Sequence, residues 1–144
     1  MDKLNDALLT FASGFNCSQS VLTAFSSELG LGTDQALRIA CGFGGGMGRT
    51  AQTCGAVTGA CMVIGLKHGQ TQKDDKTAKE KTYAFVREFV DLFTKKHGST
   101  LCRELLSCNV STPEGYQKAV EENLFKTVCP GLVESAVEIL QKIV

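Results

Sequence analysis

Seven cysteines, Cys17, Cys41, Cys54, Cys61, Cys102, Cys108 and Cys129, are the side chains of this 144-residue chain best suited to chemistry. A thiol acts as nucleophile or metal ligand in its thiolate form, so the question for each is what its surroundings do to its proton. There is no C-x-x-C, which a thioredoxin-type pair requires, and no C-x-x-C-H, which covalent haem requires. The intervals are instead Cys54 to Cys61 and Cys102 to Cys108. Seven residues on one helix correspond to ~10 Å of rise, too far for a mutual disulfide, so Cys54 and Cys61 need partners from elsewhere. Cys17, Cys54 and Cys129 each fall at or near an expected helix start, and Cys102 is placed similarly. Free amides and the helix dipole there favour a thiolate. Cys41 ends a helix and Cys61 lies in an apolar run, so both read as small core residues, with Cys108 undecided between the two roles.

The elements that must position these thiols all carry helical periodicity. Leu4, Ala7, Leu8 and Phe11 form a first stripe that Gly14 stops, and Cys17 opens a second helix running to Leu29. Thr33 is a plausible N-cap for a helix from Asp34 to Cys41. The stretch from Gly42 to Arg49 is too glycine-rich for a helix and must be a loop or sharp turn. Thr50 to Lys67 then reads as a helix of small residues, with Gly55 and Gly59 one turn apart; its apolar character places it at the centre, where another helix can approach closely. A long amphipathic helix follows from Ala78 to Lys96, with Tyr83, Val86, Val90 and Phe93 on its inner side. A short helix from Leu101 to Leu106, a turn from Asn109 to Gly115, a weakly helical stretch from Tyr116 to Thr127 and a final helix opened by Cys129 and Pro130 complete the chain. No stretch alternates as a strand does, so the expectation is an all-α bundle, one domain over residues 1–144.

Other side chains have plainer readings. Gly46 to Ala51 satisfies a loose G-x-G-x-x-A, but a helix precedes it where a dinucleotide fingerprint needs a strand, and no Gly-Lys-Ser/Thr marks a P-loop. Close packing beside the Cys54 helix is the favoured role for the loop, and a solvated surface position is favoured for Arg49 over one that holds a thiolate or anionic substrate. His68 and His97 both precede a glycine at a helix end, where a partial positive charge complements the dipole.

Asn16-Cys17-Ser18-Gln19, the loop from Gly42 to Arg49, Cys54-Gly55-Ala56-Val57-Thr58-Gly59, Cys102-Arg103-Glu104-Leu105-Leu106 and Val128-Cys129-Pro130 together resemble the redox-active protein family with a C…CGAxxG…C…C pattern. The resemblance covers nearly the whole chain, and its specificity lies in the ordered set. It implies four motif cysteines, here Cys17, Cys54, Cys102 and Cys129, with a redox role. The pattern is also similar to the cysteine-bearing part of split-Soret cytochromes, which implies an iron–sulfur or other metal alternative on the same residues, without the haem.

Two classes of function thus compete: thiol–disulfide or electron-transfer chemistry without a cofactor, with Cys54 the candidate nucleophile, and zinc or iron–sulfur binding by Cys17, Cys54, Cys102 and Cys129. A structural or partner-binding helical module is the third reading. On either of the first two, the four cysteines are expected to converge, with helix ends lowering their pKa values. The partner would be another redox protein or a small-molecule substrate. Lys and Arg number 15 and Asp and Glu 15, so nothing in the charge balance suits nucleic acid or an anionic membrane surface. No apolar run is long enough to insert in a membrane, and the N-terminus has no signal-peptide pattern, so a cytoplasmic location is expected. There, such cysteines are more often catalytic or metal-binding than cross-linked.

Overall fold

The small-residue helix lies at the centre of an all-α bundle in the computed structural model, which describes residues 2–144. In chain order the elements are α1 (Lys3–Ala12), α2 (Cys17–Ser26), α3 (Thr33–Cys41), a four-residue turn α4 (Gly44–Met47), α5 (Gly55–His68), α6 (Lys76–His97), α7 (Cys102–Leu105), α8 (Pro113–Glu121), α9 (Leu124–Thr127) and α10 (Cys129–Ile143). Helices α2, α6 and α10 all pack on α5. Close approach is possible because Gly59 has no side chain: a Cβ there would stand 2.8 Å from the Ser18 carbonyl oxygen and 3.2 Å from Val21 Cβ. Gly55 is similar, with the Ser18 amide nitrogen 3.0 Å and Cys17 Cβ 3.3 Å from the position a Cβ would take. Ala56, Ala60, Val63 and Ile64 complete the buried face of α5 against Val21, Leu22 and Phe25 of α2 and Val133, Val137 and Leu140 of α10.

On α6 the core is anchored by Phe89 and Phe93, both fully buried with ring centroids 5.8 Å apart. Each such side chain contributes about 1.5–3 kcal/mol by its removal from water. Phe89 belongs to this inner face although it lies outside the expected stripe of Tyr83, Val86, Val90 and Phe93. Tyr83, expected inside, is instead half exposed beneath the Lys79 ammonium; it lies in α6 before the buried residues of that helix, Phe89 and Phe93.

Several boundaries differ from the expectation, each for a local reason. The helix expected from Thr50 begins at Gly55, because Ala51 is left-handed (φ 58°) and Thr53 forms an antiparallel bridge with Leu101. Thr33 lies inside α3, whose cap position is Gly32, with no side-chain bond. The turn expected through Gly115 stops at Thr112, whose hydroxyl accepts from the Gly115 N–H at 3.0 Å and starts α8 with Pro113 in its first turn. The weak stretch after it is divided by Asn123, left-handed at φ 60°, into α8 and α9. A second, smaller apolar cluster, built on Ala51, Cys102, Leu106, Cys108, Val110, Ala119 and Cys129, packs under these C-terminal turns. Among the described residues no helix is long and apolar enough to cross a membrane.

Candidate functional site

Each motif cysteine is set by a different local device. Cys17 is the first residue of α2 behind an N-cap, Asn16, whose side chain accepts from the Gln19 N–H at 2.9 Å while Gln19 Oε1 accepts from the Asn16 N–H at 3.0 Å. The spare Asn16 amide donates to the Cys41 carbonyl and that of Gln19 to the Leu37 carbonyl, both at 3.0 Å, tying the start of α2 to α3. An N-x-x-Q capping box is legible in the sequence, and its role here is to fix Cys17. Cys54 is the N-cap residue of α5. It is joined to Cys102 by the short antiparallel bridge: the Cys54 N–H donates to the Thr100 carbonyl at 2.8 Å and the Cys102 N–H to the Gln52 carbonyl at 2.6 Å. Cys129 opens α10, with Pro130 in the first turn.

The glycine-rich loop is the wall that lets these segments meet. From Gly45 to Arg49 every residue is left-handed, with φ between 62° and 72°. The turn is closed by Ala51 N–H to Gly45 carbonyl at 3.1 Å and Gln52 N–H to Gly46 carbonyl at 2.9 Å. Glycine is required at position 46 twice over, by its φ of 71° and because a Cβ would stand 2.8 Å from Cys102 Cβ. This resolves the loop as the close-packing turn expected.

Cys17, Cys54, Cys102 and Cys129 line one cavity of about 530 Å³, together with Cys41, apolar side chains and Arg49. Cys41, expected in the core, is exposed at this cavity: the carbonyl end of α3 points there, and Gly42 leaves it uncovered. Cys61 packs against the main core, as its apolar surroundings suggested. Cys108 is buried next to Cys102 and donates its S–H to the Gly115 carbonyl at 2.9 Å.

The protons are distributed unevenly. Burial pushes the Cys54 thiol up to about 12, outweighing the opposite pull of the Ala56 and Val57 amides. Cys102 is pushed up to about 11, first by burial and then by Cys129 and Cys108. Cys17 is raised well above the ordinary thiol range, chiefly by its hydrogen bond to Cys129, then by burial and by the charges of Cys129, Cys54 and Cys102. Cys129 alone of the four is lowered, because the Cys17 S–H stabilises its thiolate against the cost of burial. Helix ends therefore do not lower all four pKa values, as expected from sequence. Desolvation and mutual repulsion dominate at three of them, and Cys54 in particular is held protonated.

The histidines serve packing more than capping. His68 stacks on Phe85 with ring centroids 4.4 Å apart, and His97 bonds to the Ser135 hydroxyl at 2.8 Å. Both have pKa values lowered first by burial, then by neighbouring lysines. Zinc or an iron–sulfur cluster requires three or four ligands at one centre. Among the described residues no group of three or more His, Cys, Asp or Glu side chains is arranged to hold a metal ion. Cys129 is the thiol common to the set: it raises Cys17, Cys54 and Cys102, and Cys102 is raised by Cys108 as well.

A family model described as "Putative redox-active protein (C_GCAxxG_C_C)" matches residues 15–143, nearly the whole chain. Where that pattern is written GCAxxG, this chain reads Cys54-Gly55-Ala56-Val57-Thr58-Gly59, with the first glycine and the cysteine in exchanged order. No curated protein and no solved structure matches.

Proposed function

Since the chain belongs to the C_GCAxxG_C_C family, we propose that it is a thiol–disulfide oxidoreductase that works through Cys129, Cys17, Cys54 and Cys102 without a resident metal. The observation that carries this reading is the convergence of Cys17, Cys54, Cys102 and Cys129, far apart in sequence, on one cavity, where Cys17 and Cys129 shift each other's pKa in opposite directions. A nucleophile beside a protonated thiol is what a two-step exchange needs. Cys129, in place of Cys54, is the attacking residue. Its thiolate attacks one sulfur of a partner or small-molecule disulfide; a new S–S bond forms, and the other half leaves as a thiolate with the electron pair. Cys17, after losing its proton, attacks the Cys129 sulfur, closes the Cys17–Cys129 disulfide and releases the second half. The dithiol is oxidised by two electrons and the substrate reduced to two thiols. Cys54 and Cys102, protonated at neutral pH, are the store onto which the disulfide can migrate by a further exchange.

Mild oxidation with oxidised glutathione, followed by non-reducing peptide mass mapping, tests this. Disulfides should form among Cys17, Cys54, Cys102 and Cys129 before Cys41 or Cys61 takes part, with Cys17–Cys129 earliest. First oxidation at Cys41 would defeat the assignment. Freshly purified protein should be colourless and free of stoichiometric metal; a visible cluster absorption or stoichiometric zinc would replace this reading with the metal-binding one on the same cysteines.

A further inference from the structure

Among the described residues Arg49 is the one charged side chain that lines the cysteine cavity, and no carboxylate lines it. Its guanidinium lies over the ring of Tyr116, 4.6 Å from the centroid, and Tyr116 in turn packs on Phe125 with centroids 5.7 Å apart. Among the described residues Arg49 makes no ion pair. Its placement comes from the backbone instead: φ is 62°, an unusual value for a residue with a side chain, its N–H donates to the Gly44 carbonyl at 3.1 Å, and its stem lies where a Cβ on Gly45 would touch Cγ at 2.7 Å. A left-handed arginine costs free energy, and such strain is concentrated where a side chain must be aimed. A cation held on an aromatic platform with its donors unpaired is suited to a carboxylate, which a guanidinium binds in a bidentate fork. Apart from Asn16 the rest of the wall is largely apolar, with Phe11, Phe15, Leu105 and Leu132 around the thiols. A volume of about 530 Å³ is that of a small-molecule site.

We propose that the cavity binds small carboxylate-bearing disulfides with an apolar body, the carboxylate on Arg49, the body on the aromatic wall and the S–S bond toward Cys129. This names the substrate class for the thiol exchange above and rests on that reading. The bonds change as already described: the cavity dithiol closes to a disulfide, and the substrate S–S bond breaks to give two thiols. Arg49 is a positioning residue and takes no proton.

Two aromatic disulfides separate charge from body: 5,5′-dithiobis(2-nitrobenzoate), which is anionic, and the smaller 4,4′-dithiodipyridine, which is neutral. Their intrinsic reactivities cancel when each variant is compared with the wild type as an anionic-to-neutral rate ratio. Arg49→Gln should lower that ratio about tenfold, the loss of one charge-assisted interaction. Tyr116→Leu, which keeps the charge and removes its platform, should lower it in the same direction. Arg87→Gln, the same charge loss on the exposed face of α6 away from the cavity, should leave it unchanged. Benzoate, which cannot exchange, should protect the cavity thiols of the wild type from dithiodipyridine and fail to protect those of Arg49→Gln. An unchanged ratio in Arg49→Gln, or an equal fall in Arg87→Gln, overturns the proposal. If instead benzoate binding is measured and depends on Arg49 while neither reagent reacts at the cavity thiols, the carboxylate site stands and the thiol reading falls.

Discussion

Cys129 and Cys54 occupy similar positions in their helices and have pKa shifts of opposite sign. Both stand at the start of a long helix, yet Cys54 is pushed up to about 12 and Cys129 is lowered. Cys129 is lowered by the Cys17 thiol beside it, whereas Cys54 has only backbone amides to set against its burial. Thiolate character rises as pH rises through the pKa, so the fastest alkylation by iodoacetamide should reach half its maximum below the pH of an ordinary cysteine. Cys129→Ser should remove that phase and Cys54→Ser should leave it. Cys17→Ala takes away the donor and should move the inflection to higher pH, although burial of Cys129 is hardly altered. If Cys54→Ser removes the fast phase, the helix-start argument from sequence is right and the present assignment of the nucleophile is wrong.

At the scale of elements, the α2–α5 contact determines whether there is a site at all. Gly55 and Gly59 bring α5 against the backbone of Cys17 and Ser18. Gly59→Leu would place a branched side chain where even a Cβ is 2.8 Å from the Ser18 carbonyl oxygen. Destabilisation of about 1–3 kcal/mol is expected from overpacking, measured by urea unfolding. Because α2 carries Cys17, the same variant should also slow formation of the Cys17–Cys129 disulfide. A wild-type unfolding midpoint would show that α2 can retreat from α5 without cost. The Gly55/Gly59 spacing was legible in the sequence as a surface for close approach; that its partner is the helix opened by Cys17 was not, because small residues specify a distance and no identity.

For the molecule as a whole, stability should depend on acid through the histidines. His68 has its pKa lowered by burial first and by Lys81 and Lys67 second, so the fold favours its neutral form. The unfolded chain takes up a proton as pH falls through the ordinary histidine range, while the folded chain resists it until lower pH. Stability is therefore retained above that range and declines below it, the sign for a group whose folded pKa is depressed. His97 adds to this in the same direction. His68→Phe preserves a ring to stack on Phe85 and removes one titration, so the drop in unfolding midpoint between about pH 7 and about pH 5 should be smaller than in the wild type. An undiminished drop would place the acid sensitivity elsewhere.

The sequence by itself determined the all-α class, the small-residue helix at the centre, the breaks at glycine and proline, and the cysteine set, because periodicity, backbone permissiveness and residue identity are local properties. It even carried the Asn16–Gln19 capping box that orients Cys17. Three things were decided by tertiary structure alone. The Thr53–Leu101 bridge, which shortens α5 and joins Cys54 to Cys102, pairs segments 48 residues apart that have no strand pattern of their own. The exposure of Cys41 follows from where α3 ends relative to the cavity, not from its apolar neighbours in the chain. Last, the lowering of Cys129 against the raising of Cys54 depends on which sulfur lies beside another thiol and which is left to desolvation. Burial and the neighbouring thiol differ from one cysteine to the next, and those exist only once the chain has folded.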